Sequence, residues 1–206
     1  MRTWKAPIAV IAATLVVMAA YAASVLRSGF STRAQPSVVE VRAARLVREM
    51  SIPKQARNQI NPLGAAVTPE VLETARAHWA DHCATCHGND GSGDTEMGRN
   101  LYPKAPDMRL APTQNLSDGE LYYIIRNGVR LTGMPAWGDP QLKQDDESWQ
   151  LVLFIRHLPK MTDEEAEGMK ALNPKTDADR VEELKEREFL NGGELPEQSV
   201  EQGHQH

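Results

Sequence analysis

Cysteine is scarce in this 206-residue chain: there are two, Cys83 and Cys86, three positions apart. A disulfide framework needs more, and no second pair exists to complete a four-cysteine zinc site. Aromatic residues are scarce too, at 5%, which is thin for a large core. An excess of basic charge is also missing. The formal net charge is −5, which argues against a nucleic-acid binder. No internal repeat is visible. What is present is ordinary globular composition, with 41% hydrophobic and 25% charged residues. The length suits one or two small domains.

Residues 6–26 form an apolar run without a charge. As a helix it would span roughly 31 Å at about 1.5 Å per residue, enough for the hydrocarbon core of a bilayer. Arg2 and Lys5 precede it and would stay on the cytoplasmic side, which places the body of the chain outside the cytoplasm. Ala20-Tyr21-Ala22 also fits a signal-peptide cleavage site. The run exceeds the usual signal core, which favours an uncleaved anchor in the inner membrane with the rest of the chain on the periplasmic side. Cleavage at about Ala22 would give a soluble periplasmic protein. Both readings export the chain.

Charge divides the remainder into three blocks. Residues 27–66 hold seven Lys/Arg against two Asp/Glu, net +5. This is a basic connector with a short amphipathic helix expected over residues 38–50. It reads as a solvated linker helix, with lipid headgroups as the other partner its charge allows. Residues 67–160 hold nine against thirteen, net −4, and carry the strongest structural signals. Thr68-Pro69-Glu70 predicts a helix start, and apolar spacing predicts a helix over residues 69–82. Residues 89–98 read as a Gly-rich loop. Ser117 and Glu120 form a capping box for a helix ending before Gly128. Asp145 or Asp146 caps a last helix, residues 147–158, stopped by Pro159. Residues 161–206 hold five against thirteen, net −8, with helix-like pieces at 163–172 and 177–190. They lack the large apolar residues for a core of their own and read as an acidic, partly helical or disordered tail.

Both cysteines fall in Cys83-Ala84-Thr85-Cys86-His87. C-x-x-C-H is the attachment pattern of c-type haem. Two Cys on one helical turn reach the two vinyl groups of one porphyrin as thioethers, and the adjacent His supplies the proximal iron ligand. A thioredoxin-like pair would want a βαβ setting, which this helix-and-loop pattern does not offer. A zinc site would need His78 and His82 to complete it. For the sixth iron position, position along the chain sets aside most of the eight Met. Met1 and Met18 precede or enter the apolar run, Met50 is in the connector, and Met161 and Met169 follow the last helix. Met97 is too near His87 to cross easily, and Met97 and Met108 read as solvent-facing or haem-edge residues. Met134 sits in Gly133-Met134-Pro135, where Gly permits close backbone approach and Pro fixes direction. It is the expected distal ligand.

The chain resembles class I c-type cytochromes, particularly membrane-anchored single-haem bacterial ones. The resemblance rests on residues 83–88, Gly91-Ser92-Gly93 and the string from Arg126 to Trp137, and covers about residues 68–160. It implies an all-α domain of three to four helices around one covalent haem. The first and last helices should pack together beside it, with Trp79 and Trp149 at the contact. It also implies that a loop proline carbonyl, Pro103 or Pro106, holds the proximal imidazole, and that Arg130 neutralises a haem propionate. His78, His82 and His157 read as surface or core-edge groups, and His204 and His206 as a solvated end.

Iron held by His87 and Met134 has no open position, so the expected function is one-electron transfer rather than enzymatic catalysis. The thioether sulfur raises the reduction potential, which suits the higher-potential end of a respiratory or dehydrogenase-linked chain. The expected partners are a redox donor, a redox acceptor and the membrane. The alternatives are a haem subunit of a larger oxidoreductase complex, or an open-site haem enzyme or gas sensor with His157 as its distal group.

Overall fold

The computed structural model describes residues 5–28, 31–64, 68–175 and 177–190. Among them there is no strand. The fold class is all-α, as expected. The apolar run lies within α1 (Lys5–Ser28), whose segment Pro7–Arg27 is long and apolar enough to cross a membrane. α2 (Val38–Ser51) starts at a capping box in which Ser37 and Glu40 satisfy each other's backbone N–H. α3 (Lys54–Arg57) is a single turn.

α4 (Pro69–His78) opens as the sequence predicts, with the Thr68 side chain accepting from Val71 N–H. It does not run on regularly to residue 82. A wider π-type turn, Trp79–Cys83, intervenes, closed by the Ala84 N–H on the Trp79 carbonyl. Trp79 and Cys83, four apart, share one side of this turn, and both are buried. α5 (Ala84–His87) completes the C-x-x-C-H motif. Next come α6 (Glu96–Asn100), α7 (Ala111–Gln114), α8 (Asp118–Asn127) and α9 (Asp146–His157). The Ser117–Glu120 capping box opens α8, and Asp145 rather than Asp146 caps α9. Pro159 falls in a 3-10 turn, Leu158–Lys160, that ends α9.

The first and last helices of the domain, α4 and α9, pack together. α9 is buried almost all round, from Leu151 to Ile155, which makes it the central helix. Trp79 lies against Phe154 with ring centroids 5.1 Å apart. Trp149 instead stacks on Tyr122 of α8 at 4.0 Å. Each such buried aromatic contributes about 1.5–3 kcal/mol of apolar burial.

Both flanking blocks dock on this core. In the connector, Ile52 and Ala56 are buried, and the buried Asn61 amide donates to the Trp149 carbonyl at 3.1 Å. Gly119 of α8 sits on the Ala56 carbonyl so closely that a Cβ would lie 1.8 Å from its oxygen. Ser117 Oγ donates to the Arg57 carbonyl at 2.8 Å. On the other side, the expected helix-like piece 163–172 divides into α10 (Asp163–Gly168) and a 3-10 turn, Met169–Leu172. Met169 enters the core. Glu165 of α10 binds Arg76 of α4 and lies 3.3 Å from His157 Nε2. α11 (Asp177–Leu190) keeps Val181, Leu184 and Leu190 exposed. His204 and His206 lie outside the described residues.

Candidate haem site

The wide turn delivers Cys83 into the core edge, 9% exposed, while Cys86 and His87 are half-buried on α5. Gly88 ends α5 at φ 75°, a conformation that favours glycine, and its carbonyl accepts the Trp79 indole N–H at 2.9 Å. The Gly-rich loop folds back under the motif. Gly93 N–H donates to the His87 carbonyl at 2.7 Å. Thr95 Oγ1 donates to the Thr85 carbonyl at 2.8 Å and lies 3.1 Å from that of Cys86. Gly98 is pressed so close that a Cβ there would stand 2.2 Å from the Cys86 carbonyl oxygen. Arg109 clamps the next loop across, pairing with Asp107 at 2.8 Å and Asp90 at 3.0 Å.

Burial pushes the Cys83 thiol up to about 12, with Cys86 adding to the effect, and burial raises Cys86 as well. Such thiols stay protonated near neutral pH. A thioredoxin-type pair needs the opposite, a stabilised thiolate. Burial also lowers the pKa of His87, opposed by the nearby Pro106 carbonyl. That leaves the imidazole neutral, the form that ligates a metal. His87 Nδ1 is buried and makes no well-formed hydrogen bond. Of Pro103 and Pro106, it is Pro106 whose carbonyl lies near the ring.

Met134 is half-buried in the loop after α8. Gly128 turns the chain at φ 65° and backs directly onto residues 134–136. Val129 N–H donates to the Met134 carbonyl at 3.0 Å, and Met134 N–H to Thr132 Oγ1 at 3.1 Å. Leu101 packs on Gly133, where a Cβ would come within 2.6 Å of it. Trp137 N–H reaches the Ile125 carbonyl, and the Trp137 ring stacks on His82 at 5.0 Å. That stack brings the Met134 loop against the turn that carries Cys83. Arg130 is exposed and has no ion pair among the described residues. Leu131 beside it is 93% exposed at φ 63°.

His78 and His82 meet edge-on at 5.1 Å, with Glu147 and Asp81 as their acidic neighbours. His157 is engaged by Glu165. Met108 packs against the core and Met97 is exposed. Sequence reasoning missed Trp79 Nε1, Thr95 and Arg109 as supports of the motif. The Asp90–Ser92 and Ser92–Asp94 turns, at 3.0 and 3.1 Å, are the local signal that could have located the loop's fold.

Residues 70–155 match the protein family described as cytochrome c oxidase, cbb3-type, subunit III. The cbb3-type cytochrome c oxidase subunit FixP of Sinorhizobium medicae (strain WSM419) is 34% identical over 95 residues, which are 44% of this chain and 28% of that protein. FixP of Rhizobium meliloti (strain 1021) is 30% identical over 122 residues, 49% of this chain and 39% of that protein. The matched segments thus span well under half the length of these curated relatives.

Proposed function

We propose that this chain, a class I c-type cytochrome behind an N-terminal membrane helix, carries one haem c and passes single electrons at the outer surface of the inner membrane. The observation that carries the reading is the setting of residues 83–87. Two neutral thiols and one neutral, half-buried imidazole share a helical turn that the surrounding loop holds from below. These residues fit a haem. Cys83 and Cys86 would be its thioether attachments and His87 its proximal ligand. Pro106 would orient the His87 ring, because its carbonyl is the one that lies near the buried Nδ1.

Met134 would be the distal ligand, Gly133 and Pro135 aiming it. Its backbone is tied at both N–H and carbonyl, which limits the sulfur's wander. Arg130, a cation without a protein partner among the described residues, would balance a propionate. The haem supplies a reversible ferrous–ferric couple. His87 and Met134 would together ligate the iron, and the buried Trp79 beside the motif would help to keep water away on that side. His157, the histidine that an open-site reading would make the distal group, is held by Glu165.

A second reading has a specific observation behind it: both named relatives are subunits of a cbb3-type cytochrome c oxidase. Within such a complex the domain would serve as an electron-entry subunit, and its partners would be the complex's other subunits.

The test is the full chain expressed with haem-attachment machinery. Covalent haem on a denaturing gel, one haem per chain and a sharp reduced α-band are expected. The weak long-wavelength band of oxidised methionine–iron ligation should vanish in Met134→Ala. A high-spin spectrum with ready CO binding would overturn the carrier reading in favour of an open site, and no covalent haem would overturn both. Recovery only as a stoichiometric assembly that reduces oxygen would favour the subunit reading.

A further inference from the structure

α2 has two unlike sides. Its half-buried positions are Glu40, Val41 and Arg48, and Glu40 accepts the Tyr102 hydroxyl at 3.0 Å, so this side meets the haem domain. On the other side Val39, Leu46 and Met50 follow one another at spacings of seven and four, which stacks them in a stripe. They are 70%, 56% and 78% exposed, and Val47 beside them is exposed as well. Arg42 and Arg45 flank the stripe, exposed and without an ion pair among the described residues.

Three observations say what covers this face. α2 begins ten positions after α1 ends, so it starts close to one end of the apolar span. Tyr102, bonded to Glu40 of α2, lies within electrostatic range of α1. Desolvation and then Glu40 hold its phenol pKa up, and Tyr21 of α1 is near enough to add to the effect. The flank holds Arg42 and Arg45 against one acid, Glu49, a net positive charge that suits anionic headgroups, and a helix with an apolar face and such a flank has the make-up of one lying in a bilayer interface.

We propose that α2 lies on the bilayer surface, with Val39, Leu46 and Met50 at the acyl boundary and Arg42 and Arg45 on anionic lipid phosphates. This rests on α1 spanning the membrane. The helix would then be a second membrane contact that sets how the haem domain sits on the lipid, because Glu40 carries the constraint to Tyr102 and the docked segment after α2 carries it to α8 and α9.

The test uses the full-length holoprotein in vesicles of phosphatidylcholine and phosphatidylglycerol that contain brominated lipid. An environment-sensitive fluorophore is placed at Leu46→Cys, and at Met50→Cys as a second variant should the first misfold. Val16→Cys in α1 and Leu184→Cys in α11 are the references. Leu46 and Met50 should be quenched several-fold more than Leu184. The difference should shrink when phosphatidylglycerol is omitted or when Arg42→Gln and Arg45→Gln are combined. Quenching at Val16 but none at Leu46 and Met50 overturns the proposal and leaves the anchor standing. No quenching at Val16 overturns both. A Leu46 probe shielded from aqueous iodide yet untouched by brominated lipid means that protein covers the stripe, which also overturns it.

Discussion

On the His87 side of the candidate site, backbone is packed on backbone. On the Met134 side, a loop hangs from the end of α8. The proximal loop cannot accept a methyl group at Gly98, and its hydrogen bonds close directly on the carbonyls of residues 85–88. The distal loop keeps Leu131 almost wholly in solvent and holds Met134 mainly through bonds within its own turn. Density of packing would then follow the proposed chemical roles. The side that would present cysteines and imidazole in one fixed geometry is bonded backbone to backbone, and the side that would complete the ligand set rests on Gly128, Leu101 and the Trp137–His82 stack while its tip stays in solvent. A ligand that can exchange would suit the second kind of structure.

The sharpest contrast between the two sides is the loss of a ligand. His87→Ala should strip the low-spin spectrum and sharply reduce the yield of haem-bearing protein, read by gel stain and absorption. Met134→Ala should keep covalent haem at near-normal yield, while CO binding appears and the reduction potential falls. Equal yields in the two variants would break the contrast. Next in size is Gly98→Ala, which should cost about 3 kcal/mol or more in denaturant unfolding, because the new methyl meets backbone rather than a movable side chain.

A smaller effect concerns the docked start of the acidic block. Chiefly the Thr162 N–H bond, then His157 and Arg76, hold the Glu165 carboxyl below its ordinary 4.5. The folded state thus binds this proton less readily than the unfolded chain. The contribution is present above pH 4.5 and is lost as pH falls through the lowered folded value. Glu165→Gln should remove that part of the acid sensitivity and cost under about 1 kcal/mol at neutral pH, as expected of a partly exposed pair. An unchanged acid-unfolding curve would show that Glu165 does not hold the block. The smallest effect is expected at Leu131→Gly, where relief of a left-handed backbone offsets the greater freedom of the unfolded chain, leaving stability within about 0.5 kcal/mol of the parent. A large loss there would mean that the distal loop is more tightly built than its exposure indicates.

Much of this was legible because it is local. Ser117 with Glu120, Thr68 with Pro69, and Asp145 write their helix starts within four residues. The chemistry of residues 83–87 and the Gly133-Met134-Pro135 turn are equally compact in sequence. The wide turn at Trp79 was not legible, because a regular helix has the same apolar spacing there and only packing against Phe154 and Gly88 selects the other pitch. Ala56 against Gly119 leaves no periodic trace, since two small residues mark the contact of two backbones. Met169 stands among few apolar residues in an acidic stretch, and its burial goes with a long-range pairing of Glu165 with Arg76 that no local pattern records.

The docking of the connector has a consequence for distance. Were residues 27–66 a flexible coil, its ends would stand roughly 35 Å apart on average, and the haem domain would sweep a hemisphere of that radius. Ile52, Ala56 and Asn61 are instead part of the domain, and nine positions, 29–37, separate α1 from α2. A coil of that length would average only roughly 16 Å end to end. With α1 across a membrane, the domain's travel would then be largely lateral, within a thin layer above the lipid. Redox partners would be selected first by the height at which they present their own electron port, and only then by the surface around it.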